Sequence, residues 1–562
     1  MKNPIKLAYH SINELINNAI TAATQQGLIK KCEHKEFTIE IGKDAKNGDF
    51  AVNFALTNAK VYGLPPRSLA EIILQNIDLT DTYFEKVEIA GPGFMNFYTS
   101  KSWLNFIINT IYTSGENYGK TETNNRRVMV EFISANPTGP MHMGNARGGA
   151  IGDCLAEILK WSGDTVTREF YINDAGNQIE RFYKSLKARY YEIYAPNTIE
   201  FPEDGYHGDD IMVLAQKFAD KYEDKYINGD EEEFKKLIIE SSLNDNIEKI
   251  QKDLEYYRIT FDVWFYESML YEDGELDDTI NGLKAAGCTY EKDGALWYRT
   301  TDENAEKDEV LIRANGIPTY FAADIAYHRN KFLKRNFDKV INVWGADHHG
   351  HIARLKGALS SLGIDSDKLD IVVMQLVRLI SDGKPIKMSK RTGKAISLID
   401  LLDETSVDAA RYFFNMRSSD SHFDFDLDLA VEKSSENPVY YVQYAYARIC
   451  SIFRMIEEDG VNISDLSAIN SFNYNEPDEA ALIKLLSTFP DEIIKSAKAY
   501  DPSRITRYAY NVANSFHKFY NTCKVNCEDE STRNSRYYLC LATKTVLFNT
   551  LSLLKISAPE IM

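Results

Sequence analysis

Residues 126–163 constrain the fold more than any other stretch. RRVMVEFI is a short apolar run rich in β-formers. SANPTGPMHMGNARGG is a loop dense in Pro and Gly, and IGDCLAEILKWSG carries helical periodicity. Gly163 suits a helix stop. Strand, glycine-rich loop and helix together open a nucleotide-binding α/β unit. The helix entrance offers free N–H groups to an anion, and glycine lets a phosphate come close. His142 and Asn145 flank Gly144 at that entrance, and both side chains can donate to phosphate oxygens. A plain strand-to-helix turn with polar surface residues is the competing explanation. Glu131 interrupts the apolar run beside the loop, where an unpaired carboxylate is costly and a bound cation would pair it. A solvent-open edge position explains it equally.

From about residue 310 the runs VLIRANG, KVINVWGAD and KLDIVVMQLV, separated by helical patterns, predict further units of a parallel sheet. VWGADHHGHIARLKG (343–357) holds three histidines and Asp347, which invites a metal reading. The other reading is a loop after a parallel strand, where Gly345 admits a nucleoside and Asp347 accepts from a ribose hydroxyl. In SDGKPIKMSKRTGKAIS (381–397), Lys384, Lys387, Lys390, Arg391 and Lys394 place five positive charges within 11 residues, bracketed by Gly383 and Gly393. A mobile cationic loop of this kind can stabilise a phosphate leaving group. A solvated basic loop or an RNA-contacting patch is the alternative.

Around this centre, residues 1–120 read as an α+β module: Ile12, Leu15, Ile16 and Ile20 fall at helical spacing, while Phe37, Ile39 and Ile41 alternate. The polar stretch 115–127 reads as a linker. Residues 185–300 read as an acidic, partly helical insertion, and beyond about 400 the chain turns mostly helical, with Thr405 or Ser406 as a cap. These patterns predict a multidomain α/β chain with a Rossmann-like nucleotide-binding domain at 121–400, a connection at 401–430 and a helical domain at 431–562.

The net charge of −19 over 562 residues argues at first against a polynucleotide partner. Its distribution removes the objection. Residues 201–310 carry 30 Asp plus Glu against 12 Lys plus Arg, a balance of −18, which leaves the other 452 residues near −1. The seven cysteines have no regular framework and read as buried thiols in a reducing compartment, the Cys523/Cys527 pair included. The first twenty residues lack a continuous apolar segment, and no run of 18 apolar residues occurs, so a cytoplasmic protein is expected.

Taken together, the motifs resemble the class I aminoacyl-tRNA synthetases. His142-Met143-Gly144-Asn145 stands where that class has its HIGH signature, and Lys387-Met388-Ser389-Lys390-Arg391 matches its KMSKS loop. The resemblance is closer to the arginyl-tRNA synthetase family. It extends through EFISANPTGPMHMGNARGGAIGD (131–153), FDVWFYES (261–268), IPTYFAADIAYH (317–328), DAARYFFNMR (408–417) and SAPEIM (557–562). It implies ATP-dependent ligation of L-arginine to tRNA(Arg) through an arginyl-adenylate, with Mg²⁺ arriving on ATP and no structural metal. His142, Asn145, Lys387 and Lys390 would act on the phosphates. Pro140, Gly144, Gly345, Asp347, His348, Met388 and Ser389 would complete the ATP site. Glu131, Ser134, Asn136, Tyr320 and Asp324 would bind arginine. Residues 1–120 would contact the tRNA corner, 401–430 its stem and 431–562 its anticodon, with interleaved Tyr440, Tyr441, Tyr444, Tyr446 and Arg448 offering stacking surfaces. A monomer is expected. One departure stands out: the signature's second histidine is Asn145, which can donate a hydrogen bond but carries no proton. Synthetases for glutamate, glutamine or lysine, an RNA-binding protein without charging activity and a small-molecule ligase are the competing readings.

Overall fold

The computed structural model describes residues 3–42, 47–300, 307–346, 349–386, 396–463, 465, 469 and 472–562. The N-terminal elements are α1 (Pro4–Gln25), β1 (Ile39–Ile41), β2 (Phe50–Val52), α2 (Phe54–Tyr62), α3 (Pro66–Gln75), β3 (Phe84–Ala90), β4 (Phe94–Thr99) and α4 (Lys101–Ser114). The strands form an antiparallel sheet in the order β1-β2-β4-β3. Its apolar face meets the helices through contacts such as Tyr9 on Phe50.

The stretch read as a linker is a docked strap. Tyr118 is fully buried and its hydroxyl donates to the carbonyl of Leu486 at 3.0 Å. Asn549 donates to the carbonyls of Gly115 and Tyr118 at 3.1 and 3.0 Å. A polar composition concealed one large side chain with a deep slot to fill.

The central domain holds β5 (Arg127–Glu131), α5 (Met143–Trp161), β6 (Thr165–Ile172), α6 (Asn177–Tyr194), α7 (Asp209–Tyr222), α8 (Glu231–Tyr256), β7 (Val263–Tyr266), α9 (Ser268–Glu272) and α10 (Glu275–Ala285). It continues with β8 (Thr289–Lys292), β9 (Ala295–Tyr298), β10 (Glu309–Ile312), α11 (Tyr320–Arg329), β11 (Lys339–Gly345), α12 (His349–Ser361) and β12 (Leu369–Met374). Five strands make a parallel sheet in the order β12-β11-β5-β6-β7. Its central strands are buried on both faces, as Val128, Met129 and Val130 show.

Three sequence expectations change here. VLIRANG supplies β10, which belongs to a separate antiparallel sheet β10-β9-β8, not to the parallel one. The edge strand β7 lies inside the stretch read as an insertion, so the helices α6 to α8 are what interrupts the sheet. KLDIVVMQLV supplies β12 of the parallel sheet and the first residue of β13 (Val377–Ser381), which lies in a fourth sheet with β14 (Lys384–Ile386) and β15 (Phe423–Asp426). Short apolar runs fix neither strand direction nor sheet membership.

The remaining helices are α13 (Leu398–Glu404), α14 (Val407–Asn415), α15 (Leu427–Val431), α16 (Pro438–Glu458), α17 (Pro477–Ser487), α18 (Phe489–Ala499), α19 (Ser503–Thr522) and α20 (Glu530–Leu553). Ser406 caps α14, accepting from the Ala409 N–H. The N-terminal module and the helical bundle are pinned by Lys484 on Asp49 at 2.5 Å. All seven cysteines are free thiols; Cys523 is buried, whereas Cys527 is only half-buried.

Candidate active site

The chain runs from β5 through α5 to β6 on one side and returns through β11 and β12 on the other. The strand order therefore reverses between β5 and β11. Such a switch point leaves a crevice at the carboxyl ends of the strands. A cavity of about 950 Å³ opens there, lined by Ser134, Asn136, Pro140, His142, Asn145, Tyr171, Glu267, Tyr320, Asp324 and His351, among others.

The phosphate-loop residues build the entrance of α5. His142 is its cap: Nδ1 accepts from the Gly144 N–H at 3.1 Å. In return the Asn145 side-chain oxygen accepts from the His142 N–H at 3.0 Å. This reciprocal box satisfies two N–H groups that would otherwise lack partners. It also fixes the chemistry. With Nδ1 accepting, the ring proton sits on Nε2, and burial holds the imidazole pKa below its usual value, so the ring is a neutral donor. Asn145 keeps its amide N–H groups. A Cβ on Gly144 would stand 2.9 Å from the His142 ring, so glycine is needed for the cap itself.

Between β5 and this loop, Ile133 and Ser134 adopt φ of +68° and +42°. Left-handed backbone costs about 1–2 kcal/mol per non-glycine residue, and more strain where the side chain is β-branched. Ser134 is held by a hydrogen bond from its own N–H to the Phe132 carbonyl at 2.9 Å, and by its hydroxyl, which donates to Glu131 Oε1 at 3.1 Å.

Glu131 is 6% exposed, and its cation is part of the chain: Lys331 Nζ donates to Oε2 at 2.6 Å. Its carboxylate lies behind the Ser134 turn and is absent from the cavity lining. Tyr320 and Asp324 both line the cavity from the first turns of α11, as their spacing predicts. Asp324 Oδ2 meets His351 Nε2 at 2.8 Å. Gly345 ends β11, with open space where a Cβ would stand. Asp347, His348, Lys387, Met388, Ser389 and Lys390 lie outside the described residues.

Sequence reasoning missed Glu267, and weighed His351 only among the three histidines of the metal reading. Glu267 is 3% exposed and directly follows β7 at the cavity lining. Burial pushes its carboxyl up to about 7; a hydrogen bond from Tyr171 opposes this, and Asp324 and Asp174 add to it. A carboxylate ending the apolar run VWFY was the available signal, the one that drew attention to Glu131. In the helical domain Tyr440 and Tyr444 stack, and Arg448 lies 5.0 Å from Tyr444 and 4.6 Å from Tyr520. Tyr446 is buried in the bundle. Among the described residues, no group of three or more His, Cys, Asp or Glu could hold a metal ion.

Three family models match in sequence order. They are described as the arginyl tRNA synthetase N-terminal domain (residues 10–99), the class I (R) tRNA synthetase catalytic domain (107–425) and the DALR anticodon binding domain (442–562). With a switch-point cavity entered by a capped His-Met-Gly-Asn helix, they define a class I aminoacyl-tRNA synthetase. The chain is 52% identical to arginine–tRNA ligases of Acetivibrio thermocellus and Ruminiclostridium cellulolyticum, each covered over 100% of both lengths. The chain belongs to the arginyl-tRNA synthetase family. Its fold is shared by the Thermus thermophilus arginyl-tRNA synthetase, with a TM-score of 0.73 at 22% identity over 97% of this chain and 99% of that one.

Proposed function

We propose that the cavity holds arginine against ATP and that this chain, an arginine–tRNA ligase, runs both half-reactions there. The arginine carboxylate attacks the α-phosphate of ATP, the bond to the β-phosphate breaks, and arginyl-adenylate and pyrophosphate form. A ribose hydroxyl of the terminal tRNA adenosine then attacks the arginyl carbonyl, and AMP leaves. Such transfer asks for in-line positioning and charge neutralisation, with no covalent help from the protein. His142 Nε2–H, the Asn145 amide and the positive end of α5 receive phosphate oxygens, beside Pro140 and Gly144. Gly345, Asp347 and His348 take the nucleoside. Lys387 and Lys390, with Met388 and Ser389 in the same loop, offset charge on the departing pyrophosphate. Mg²⁺ enters on the ATP phosphates.

Opposite the phosphate end, Glu267 and Asp324 offer carboxylates to a guanidinium, with Tyr320 on the same helix face. Ser134 and Asn136 hold the amino-acid end, and Glu131 supports them from behind. The observation that carries this reading is the cavity lining, which brings the neutral donors His142 and Asn145 together with the carboxyl groups of Glu267, Asp324 and Asp210. We assign residues 1–120 to the tRNA corner, 401–430 to the stem and 431–562 to the anticodon. Seven free thiols suit a reducing cytoplasm. Charging of total tRNA with each labelled amino acid in turn tests the assignment. Arginine alone should be incorporated, and incorporation of another amino acid would overturn it.

A further inference from the structure

Beneath the cavity floor lies a buried polar cluster that the chemistry above does not use. Its centre is Lys331, fully buried on the π-helical turn Asn330–Lys334 that continues α11. π-turns inside helices are uncommon and gather at functional sites. Each ammonium proton has a destination. One goes to Glu131 Oε2 at 2.6 Å and one to the Asn342 side-chain oxygen at 3.4 Å. The third faces the Tyr327 ring, whose centroid is 3.9 Å away.

Two oriented chains start from this ammonium. In the first, Glu131 accepts from the Ser134 hydroxyl at 3.1 Å, and that oxygen accepts from the Tyr171 N–H at 3.2 Å. It ends on the left-handed Ile133–Ser134 turn at one cavity wall. In the second, the Asn342 amide donates to His328 Nε2 at 2.7 Å, so the ring proton sits on Nδ1 and is donated to the backbone carbonyl of Asp324 at 2.7 Å. That chain ends on Asp324, which lines the cavity as Ser134 does. The nearby Glu169 has its own partners in Arg335 and Tyr327, which leaves Lys331 to these two chains.

We propose that Lys331 is a positioning residue for the amino-acid half of the reaction. Through Glu131 it fixes the strained Ser134 turn, and through Asn342 and His328 it fixes the Asp324 turn. It thereby sets the distance between the two walls that arginine must span. Lys331 touches no substrate. A strained turn survives only where its surroundings over-determine it. Removing the ammonium frees the turn and leaves Glu131 without its counter-charge.

The inference rests on the reading of the cavity as the arginine site, and the test separates the two. Aminoacylation by the full chain is measured as KM for arginine, KM for ATP and kcat, together with the melting temperature. Lys331→Met should raise the arginine KM about tenfold or more while the ATP KM stays within about twofold. Asn342→Ala breaks only the second chain and leaves the Lys331–Glu131 pair intact. It should raise the arginine KM several-fold at unchanged ATP KM, and it decides the matter alone if Lys331→Met does not fold. An unchanged arginine KM, or arginine and ATP KM rising together, would overturn the role of Lys331. A wild-type chain that charges tRNA with another amino acid would instead overturn the reading of the cavity.

Discussion

Nδ1 of His142 is the cap acceptor, which leaves Nε2–H for the proposed phosphate contact. The two can be separated. Asparagine is a good helix cap, so His142→Asn should keep the melting temperature within about 2 °C of the parent. It supplies no donor at the Nε2 position, and the rate of adenylate formation should fall about 10²- to 10³-fold. Rapid-quench measurement of that step beside thermal unfolding checks both halves. Glu267 gives a second prediction at this scale. Its folded pKa of about 7 lies above the usual carboxyl value, so the ionised form is disfavoured in the fold. That burden on stability is present above about pH 7 and relieved as pH falls through it. A guanidinium needs the ionised form, so the arginine KM should drop about tenfold per pH unit up to about pH 7 and level off above it. Glu267→Gln should flatten that profile, and an unaltered slope would count against the assignment. His142 and Asn145 were legible because they sit within one short motif. The partner of Glu131 was not, since Lys331 comes 200 residues later and nothing local marks it.

Helix α5 is buried almost throughout, and its glycines are the reason it can lie where it does. A Cβ at Gly152 would stand 2.2 Å from the ring carbon of Phe132, a residue that is itself 1% exposed. Gly152→Ala should therefore cost roughly 1–3 kcal/mol of stability through overpacking, read by denaturant unfolding. Gly149→Ala meets the methyl ends of Ile259 and Ile133 closely and the Tyr257 ring at an ordinary 3.5 Å, and should cost less. Helices were the elements most open to sequence reading: the run ending at Gly163 lies in α5, the long amphipathic pattern is α16, and Ser406 is one of the two residues read as a cap. The strands were less so: β10 and β13 are as apolar as their parallel-sheet neighbours, and only the tertiary fold places them in other sheets.

On the scale of the whole molecule, one buried guanidinium joins four parts of the chain. Arg411 on α14 donates to Asp153 of α5 at 2.5 Å, to the Tyr257 carbonyl just beyond α8 at 3.0 Å, and to the Leu554 carbonyl just beyond α20 at 2.7 Å. Arg411→Met should cost about 3–5 kcal/mol, since three acceptors lose their donor in a buried site. Arg168 still meets Asp153 at 3.2 Å, which favours the lower end of that range. Thermal unfolding measures the loss, and a change under about 1 kcal/mol would show that the parts hold together without it. No sequence pattern announces such a junction, because its members lie 143 to 258 residues apart.

The Leu554 contact also bears on the order in which the molecule is made. Arg411 emerges from the ribosome 143 residues before the carbonyl that completes its shell, and Tyr118 emerges 431 residues before Asn549. Local helices can form during synthesis, but contacts this distant must wait for the later segment. The nascent chain therefore carries an unfinished seat for α5 until Leu554 has been made. An enzyme that supplies translation with charged tRNA thus depends, for its own geometry, on translation having passed Leu554.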